Sequence, residues 1–197
     1  AEARSYDIEH VAYGGATTEN VLEGQGDEPP QVDALSASTD VVTISIGGND
    51  TGFSDVAGEC GNPLNSEDDC TERVDEAQAF IEDELPARLD EVYSEIDTRA
   101  PEAEVIVVGY PRLWNEDAED DGNGATDFSA DEIDQLNATG DLLAVTIGEQ
   151  AEEYGFEYVD PRMTFEGHGV GSDDEYLNGV SADWGRILDA ELPMDDD

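Results

Sequence analysis

Lysine is missing altogether from these 197 residues, and seven arginines stand against 52 aspartates and glutamates, a formal net charge of −45. That shortage of cations argues against nucleic acid as a partner, because its phosphates would meet carboxylates. An anionic lipid surface is disfavoured for the same reason. So acidic a surface repels itself in dilute buffer, whereas near 1 M salt the Debye length falls to about 3 Å and most of the repulsion is screened. The acids run through the whole length instead of forming one block. That pattern favours a surface adapted to a salty medium over an acidic tail or a divalent-cation binder.

Cysteine is nearly absent too. Cys60 and Cys70 flank a polar stretch containing Gly61, Asn62, Pro63 and Asn65. Two thiols do not complete a four-ligand zinc site. They read either as a reduced pair or, the favoured alternative, as a local disulfide in an exported protein. No apolar run approaches the roughly 18 residues of a membrane span, so membrane insertion is not expected. No signal peptide is recognisable, so the chain reads as mature, trimmed or cytosolic. Apolar residues make up 38% of the sequence, a low share. Several segments are nevertheless strongly apolar, and a single domain over residues 1–197 is expected.

Along the chain, short apolar runs alternate with longer amphipathic ones. Tyr6–Val11 reads as a strand, followed by a turn that opens a helix ending near Leu22, then a loop from Gly24 to Pro30. Val41–Ile46 is a second strand, and residues 51–70 read as an irregular connection. Val74, Ala77, Phe80, Ile81, Leu85, Leu89, Val92, Tyr93 and Ile96 keep helical spacing, with Pro86 placed to kink or split the helix. Val105–Val108 has the β-branching of a buried strand. Asn115 to Asp127 reads as an acidic loop. Ser129 with Glu132 forms a capping box for a helix running to about Tyr154, with Gly140 a weak point inside it. Phe156–Val159 is the last strand, and the rest reads as irregular. Strands alternating with helices imply an α/β fold with a parallel sheet.

The second strand stops in Gly47-Gly48-Asn49-Asp50, at what would be the carboxyl edge of the sheet, where open α/β folds keep their sites. An Asn amide there can donate to a developing oxyanion, and glycine lets a reacting group come close to the main chain. Alone, the same residues describe an Asx-stabilised glycine turn. Asp117-x-Glu119-x-Asp121-Gly122 resembles the start of a calcium loop, but position 12 is Phe128 and not Glu. A solvated loop is the preferred reading, with loose calcium binding by Asp120, Asp121 and Asp127 the alternative.

Taken in order, several markers together resemble the SGNH (GDSL-type) hydrolases. They are Gly14-Gly15-Ala16-Thr17-Thr18, Gly47-Gly48-Asn49-Asp50, Gly109-Tyr110-Pro111-Arg112-Leu113, Leu136-Asn137, Phe165-x-Gly167-His168 and Tyr176-Leu177-Asn178. The resemblance is to the actinobacterial secreted esterase and lipase branch and extends from about Val11 to Val180. It implies a flavodoxin-like three-layer α/β/α sandwich that cleaves carboxylic esters through a serine nucleophile. Gly15 (backbone N–H) and Asn49 (side-chain amide) would form the oxyanion hole, worth roughly 3–4 kcal/mol per donor. Gly14, Gly48, His168 and Tyr176 would lie near the substrate, a small-molecule or lipid ester. The family needs no metal or organic cofactor. Cys60 and Cys70 match one of its disulfides, while Tyr13 and Gly171 stand where it commonly has cysteines. Secretion is implied.

The same resemblance exposes two departures. The family's Gly-Asp-Ser nucleophile block, on its first strand, occurs nowhere in this sequence, and neither does the Ser-x-His-Pro-Asn-like stretch that carries the catalytic histidine. His10 reads as a residue at a strand end. His168 matches a family Gly-His that is not the general base. Ser45 lies inside a strand, and Ser5 and Ser54 have no neighbouring base in sequence. The expectation is therefore a domain truncated at both ends relative to the family, missing its first strand and inactive by itself. The Tyr6–Val11 strand would then pair directly with Val41–Ile46, leave a gap, or accept a strand from another molecule, so self-association by strand complementation enters the expectation. Two alternatives stand beside it: a non-catalytic acidic binding or assembly protein that keeps the fold, and a carbohydrate esterase of the same superfamily.

Overall fold

The computed structural model describes residues 7–61, 65–115 and 128–177. Three strands, β1 (Val41–Ile44), β2 (Glu104–Val108) and β3 (Glu157–Val159), form a parallel sheet in the order β1-β2-β3. The helices are α1 (Thr18–Glu23), α2 (Phe53–Cys60), α3 (Glu67–Asp83), α4 (Leu85–Arg99), α5 (Ala130–Glu153) and the single turn α6 (Arg162–Phe165). The expected class, an α/β sandwich with a parallel sheet, is the one observed.

Register explains where the core lies. Val42 pairs with Val105 and Ile44 with Val107, so strand alternation puts all four on one face. That face meets Ile81, Leu85, Leu89, Val92, Tyr93 and Ile96 from α3 and α4, and Leu143 and Ile147 from α5. The opposite face is barer, with Val41 39% and Val159 40% exposed. A second cluster, Val56, Cys60, Cys70, Val74, Trp114 and Leu136, joins α2, α3 and the start of α5. There Cys60 and Cys70 are bonded as a disulfide.

Local chemistry sets several boundaries. Ser129 accepts from the Glu132 backbone while the Glu132 carboxylate accepts from Ser129, the reciprocal cap the sequence suggests. Ser66 and Asp69 repeat the device at α3. The amphipathic stretch splits at Glu84, leaving Pro86 in the first turn of α4, where its missing N–H breaks no helical bond.

Three sequence expectations are corrected. The strand over Tyr6–Val11 is not formed: residues 7–11 are without regular structure, and His10 is therefore not at a strand end. A strand needs a ladder partner, and β1 pairs only with β2 among the described residues. Tyr6 itself lies outside the described residues. The stretch 51–70 is not wholly irregular, since α2 occupies eight of its residues. Phe53, Val56, Ala57 and Cys60 have the i, i+3, i+4, i+7 spacing of a helix face, masked in sequence by flanking glycines and acids. Beyond β3 the chain makes one helical turn, α6. The acidic loop 116–127 and Asn178 lie outside the described residues.

Candidate active site

From β1 the chain runs through Ser45 and Ile46 into the turn Gly47–Asp50. Gly47 has φ of +102°, a left-handed conformation that a side chain would strain. The turn places Asn49 so that its Nδ2 donates to the Ala16 carbonyl at 2.9 Å. Next to it, the Asp50 carboxylate accepts from the Thr18 backbone N–H at 3.0 and 3.1 Å and from the Thr18 hydroxyl. Thr18 opens α1, so Asp50 satisfies an end donor of that helix and complements its positive end. Thr17 and Asn20 close the same helix start with a capping box. Two turns 33 residues apart in sequence are thereby clamped together.

Gly15, with φ of +75°, lies one residue before the carbonyl that Asn49 binds. Standard bond lengths then put the Gly15 nitrogen no more than about 11 Å from Asn49 Nδ2. No hydrogen bond from the described residues occupies the Gly15 N–H. Asn49 and the turn that carries Gly15 thus meet at one clamp.

Asn49 also divides two hollows. On one side lies an apolar cavity of about 190 Å³, walled by Phe53, Tyr110, Leu113, Leu136 and Leu143 and bordered by Gly140. On the other, a groove of about 300 Å³ runs between residues 8–13 and the free edge of β1, past Val11, Val42, Ile44 and Ile46. Asn49 lines both. Tyr110 tops Gly48 closely: the Gly48 N–H donates to its hydroxyl at 3.4 Å, and a Cβ on Gly48 would lie 2.9 Å from its ring.

A third, more polar hollow of about 570 Å³ adjoins the cavity through Arg112. Four of the charges on its walls are linked: Asp141 accepts from Arg112 at 2.6 Å and from Arg162 at 3.2 Å, and Arg162 also donates to Asp160 at 2.6 Å. Burial pushes the Asp141 carboxyl up, but the bonds from the two guanidiniums outweigh it and leave its pKa below the ordinary value. The Arg162 bond likewise holds Asp160 low.

The remaining sequence candidates are spread more widely. The Gly14 carbonyl accepts from Gln25 Nε2 at 3.1 Å. His168 and Tyr176 stack on each other at 3.7 Å, and His168 Nδ1 donates to the Asp174 carbonyl, but neither lines the cavity or the groove. His10 and Ser45 line the groove, and Ser54 stands at the rim of the cavity. Among the described residues neither histidine is hydrogen-bonded to a serine. Among the described residues no cluster of His, Cys, Asp and Glu could hold a metal, and no helix is long and apolar enough to cross a membrane. Sequence reasoning missed Phe53, Tyr110, Leu136 and Gly140 as cavity residues. Phe53 carried the helical spacing of α2, and Tyr110 and Leu136 stood in the motifs that carry the family resemblance.

Comparison with known proteins bears on this arrangement. The sequence model of the GDSL-like Lipase/Acylhydrolase family matches residues 1–188. Lipase 1 of Streptomyces coelicolor is 38% identical over 186 residues, covering 94% of this chain and 64% of the relative. A lipase of Streptomyces rimosus is 37% identical over 171 residues, covering 87% and 59%. The chain thus spans less than two thirds of the length of either lipase. Among solved structures, phospholipase A1 from Streptomyces albidoflavus NA297 superposes with a TM-score of 0.76 at 38% identity, over 85% of this chain and 66% of that one. The extracellular lipase from S. rimosus gives 0.74 at 37% identity, over 85% and 67%.

Proposed function

This chain belongs to the GDSL-like Lipase/Acylhydrolase family, and from that premise we propose that it is the scaffold of a carboxylic ester hydrolase whose oxyanion donors are the Gly15 N–H and Asn49 Nδ2. The observation that carries the reading is the clamp. Asn49 is held on the Gly14–Thr18 turn by its bond to the Ala16 carbonyl, and its second amide hydrogen is left for a ligand. Donors fixed before the reaction need no reorganisation as charge develops on the carbonyl oxygen, which is why such groups accelerate acyl transfer.

Chemistry of this kind needs a hydroxyl paired with a base. Ser54, at the cavity rim, has no such partner among the described residues. Among the described residues the oxyanion site therefore has no assembled nucleophile, and negligible turnover by this chain alone is the expected outcome. A serine reaching Asn49 along the β1 edge would complete it, and a second molecule offering a strand to that edge is one source. The lack of a hydroxyl–base pair also favours a second reading, a binding protein that keeps the fold without the chemistry. The Cys60–Cys70 bond and the extracellular lipase among the relatives support secretion. The −45 charge supports a salty working medium.

The test uses hexylphosphonate, a tetrahedral anion that mimics the oxyanion without being cleaved, titrated in molar NaCl while amide NMR signals are followed. The Gly15 amide and the Asn49 side-chain amide move together, and Asn49→Ala weakens binding about tenfold or more. If neither signal moves, the oxyanion assignment fails. Hydrolysis of p-nitrophenyl hexanoate by this chain at about 1 s⁻¹ or faster would refute the lack of a nucleophile.

A further inference from the structure

We infer that Gln25 is a positioning residue that holds the Gly15 N–H in the direction an oxyanion donor needs. The inference rests on the function proposed above for the role of that N–H, and on geometry for its direction. The Gly14 carbonyl and the Gly15 N–H belong to one planar trans peptide and point to opposite sides of it. Gln25 Nε2 donates to that carbonyl at 3.1 Å. The N–H is thereby turned away from Gln25, and no hydrogen bond from the described residues occupies it. Glycine stands on both sides of this peptide. A flip that exchanges carbonyl and N–H needs only ψ of Gly14 and φ of Gly15 to rotate, and glycine tolerates both outcomes. At Gly15 the flip would exchange a φ of +75° for a negative one. The flipped peptide would present a carbonyl where negative charge has to sit, which abolishes the donor. Glycine sterics leave both states open, and the Gln25 bond selects one.

Gln25 is itself firmly placed. Its backbone N–H donates to the Glu28 carbonyl at 3.2 Å and its own carbonyl accepts the Glu28 N–H at 3.0 Å, closing a tight turn just after α1. Gly24, with φ of +98°, lets that turn close, since a Cβ there would lie 2.5 Å from the Glu28 carbonyl oxygen. From the same turn the Glu28 carboxylate accepts from the Tyr13 hydroxyl at 2.8 Å. Tyr13 and Gly14 are thus strapped from one turn while Asn49 holds Ala16 from another, and Gly15 lies between the straps. The second observation is Gln25 Oε1, which is buried without a hydrogen-bond partner among the described residues. A stranded acceptor costs about as much as one good bond returns, so the side chain gains little for stability from the two together. What its bond does supply is the direction of the Gly15 N–H.

Gln25→Met keeps the length of the side chain and removes both the donor and the stranded acceptor, so Tm should stay within about 3 °C of the wild type. Nitrogen relaxation of the Gly15 amide is measured in molar NaCl without ligand. In the variant it should show a lowered order parameter or an exchange contribution that the wild type lacks, confined to the Gly14–Gly15 peptide. Affinity scales with the population of the competent orientation, so hexylphosphonate should bind about two- to fivefold more weakly. A Gly15 amide as rigid in Gln25→Met as in the wild type overturns the inference, and so does an unchanged phosphonate affinity. A larger fall in Tm with loosening spread through α1 overturns it too, because that is the mark of a plain structural contact. If the wild-type Gly15 amide does not respond to phosphonate, the proposed function fails, and the orienting bond is then judged by the ligand-free relaxation alone.

Discussion

Removing the Cys60–Cys70 crosslink should cost stability that the structure lets one estimate. The two residues are 10 apart in sequence and join the last residue of α2 to the first turn of α3. A loop of that length loses about 9 cal/mol/K of unfolded-chain entropy when closed, or about 2.7 kcal/mol at 25 °C. For a chain of this size that is a fall in Tm of about 5–10 °C. Both sulfurs are buried, so substitution would add a packing loss to the crosslink term. Unfolding and refolding under reductant keeps every buried atom and isolates the bond. Thermal melts of oxidised and reduced protein in molar NaCl, followed by circular dichroism, give the comparison. A difference below about 2 °C would refute the loop-closure reasoning.

Other outcomes follow from packing and charge. Gly109→Ala should destabilise by about 1–3 kcal/mol in denaturant titration, because its Cβ would collide with Tyr158, whose hydroxyl donates to the Ala144 carbonyl at 2.8 Å. Asp141→Asn should cost about 1–2 kcal/mol at neutral pH by leaving Arg112 and Arg162 without their shared carboxylate. The folded-state pKa values of Asp141 and Asp160 are depressed, so their stabilisation is complete above the ordinary carboxylate pKa near about 4. It is lost as pH falls through the lower folded values, and Asp141→Asn should flatten that acid limb of the stability profile. Raising NaCl from about 0.1 to 1 M shrinks the Debye length from about 10 to 3 Å and should raise Tm; a flat response would sink the salt-adaptation reading.

Much of this fold is legible in the sequence because its signals are local. Ser129 and Glu132 announce a helix start, β-branching marks Val105–Val108, and Pro86 marks the break between α3 and α4. The Gly47–Asp50 turn is recognisable as a glycine-rich turn at a strand's carboxyl end. Its partner contacts are not: that Asn49 binds the Ala16 carbonyl and Asp50 the start of α1 depends on a three-dimensional return of the chain. Tyr6–Val11 has a strand's composition, but residues 7–11 have no ladder partner among the described residues, and pairing is not a local property. Gly140 reads as a flaw in a helix until Leu136 and Leu143 are seen to leave a hollow beside it.

The bare flank of β1 has a consequence in solution. Among the described residues no strand pairs with it, and an edge of that kind can template another chain. In dilute buffer the mutual repulsion of molecules bearing −45 charges keeps them apart. If brine firms up the individual molecule as predicted, it also removes that barrier, and thermal tolerance and edge-to-edge pairing would then rise together.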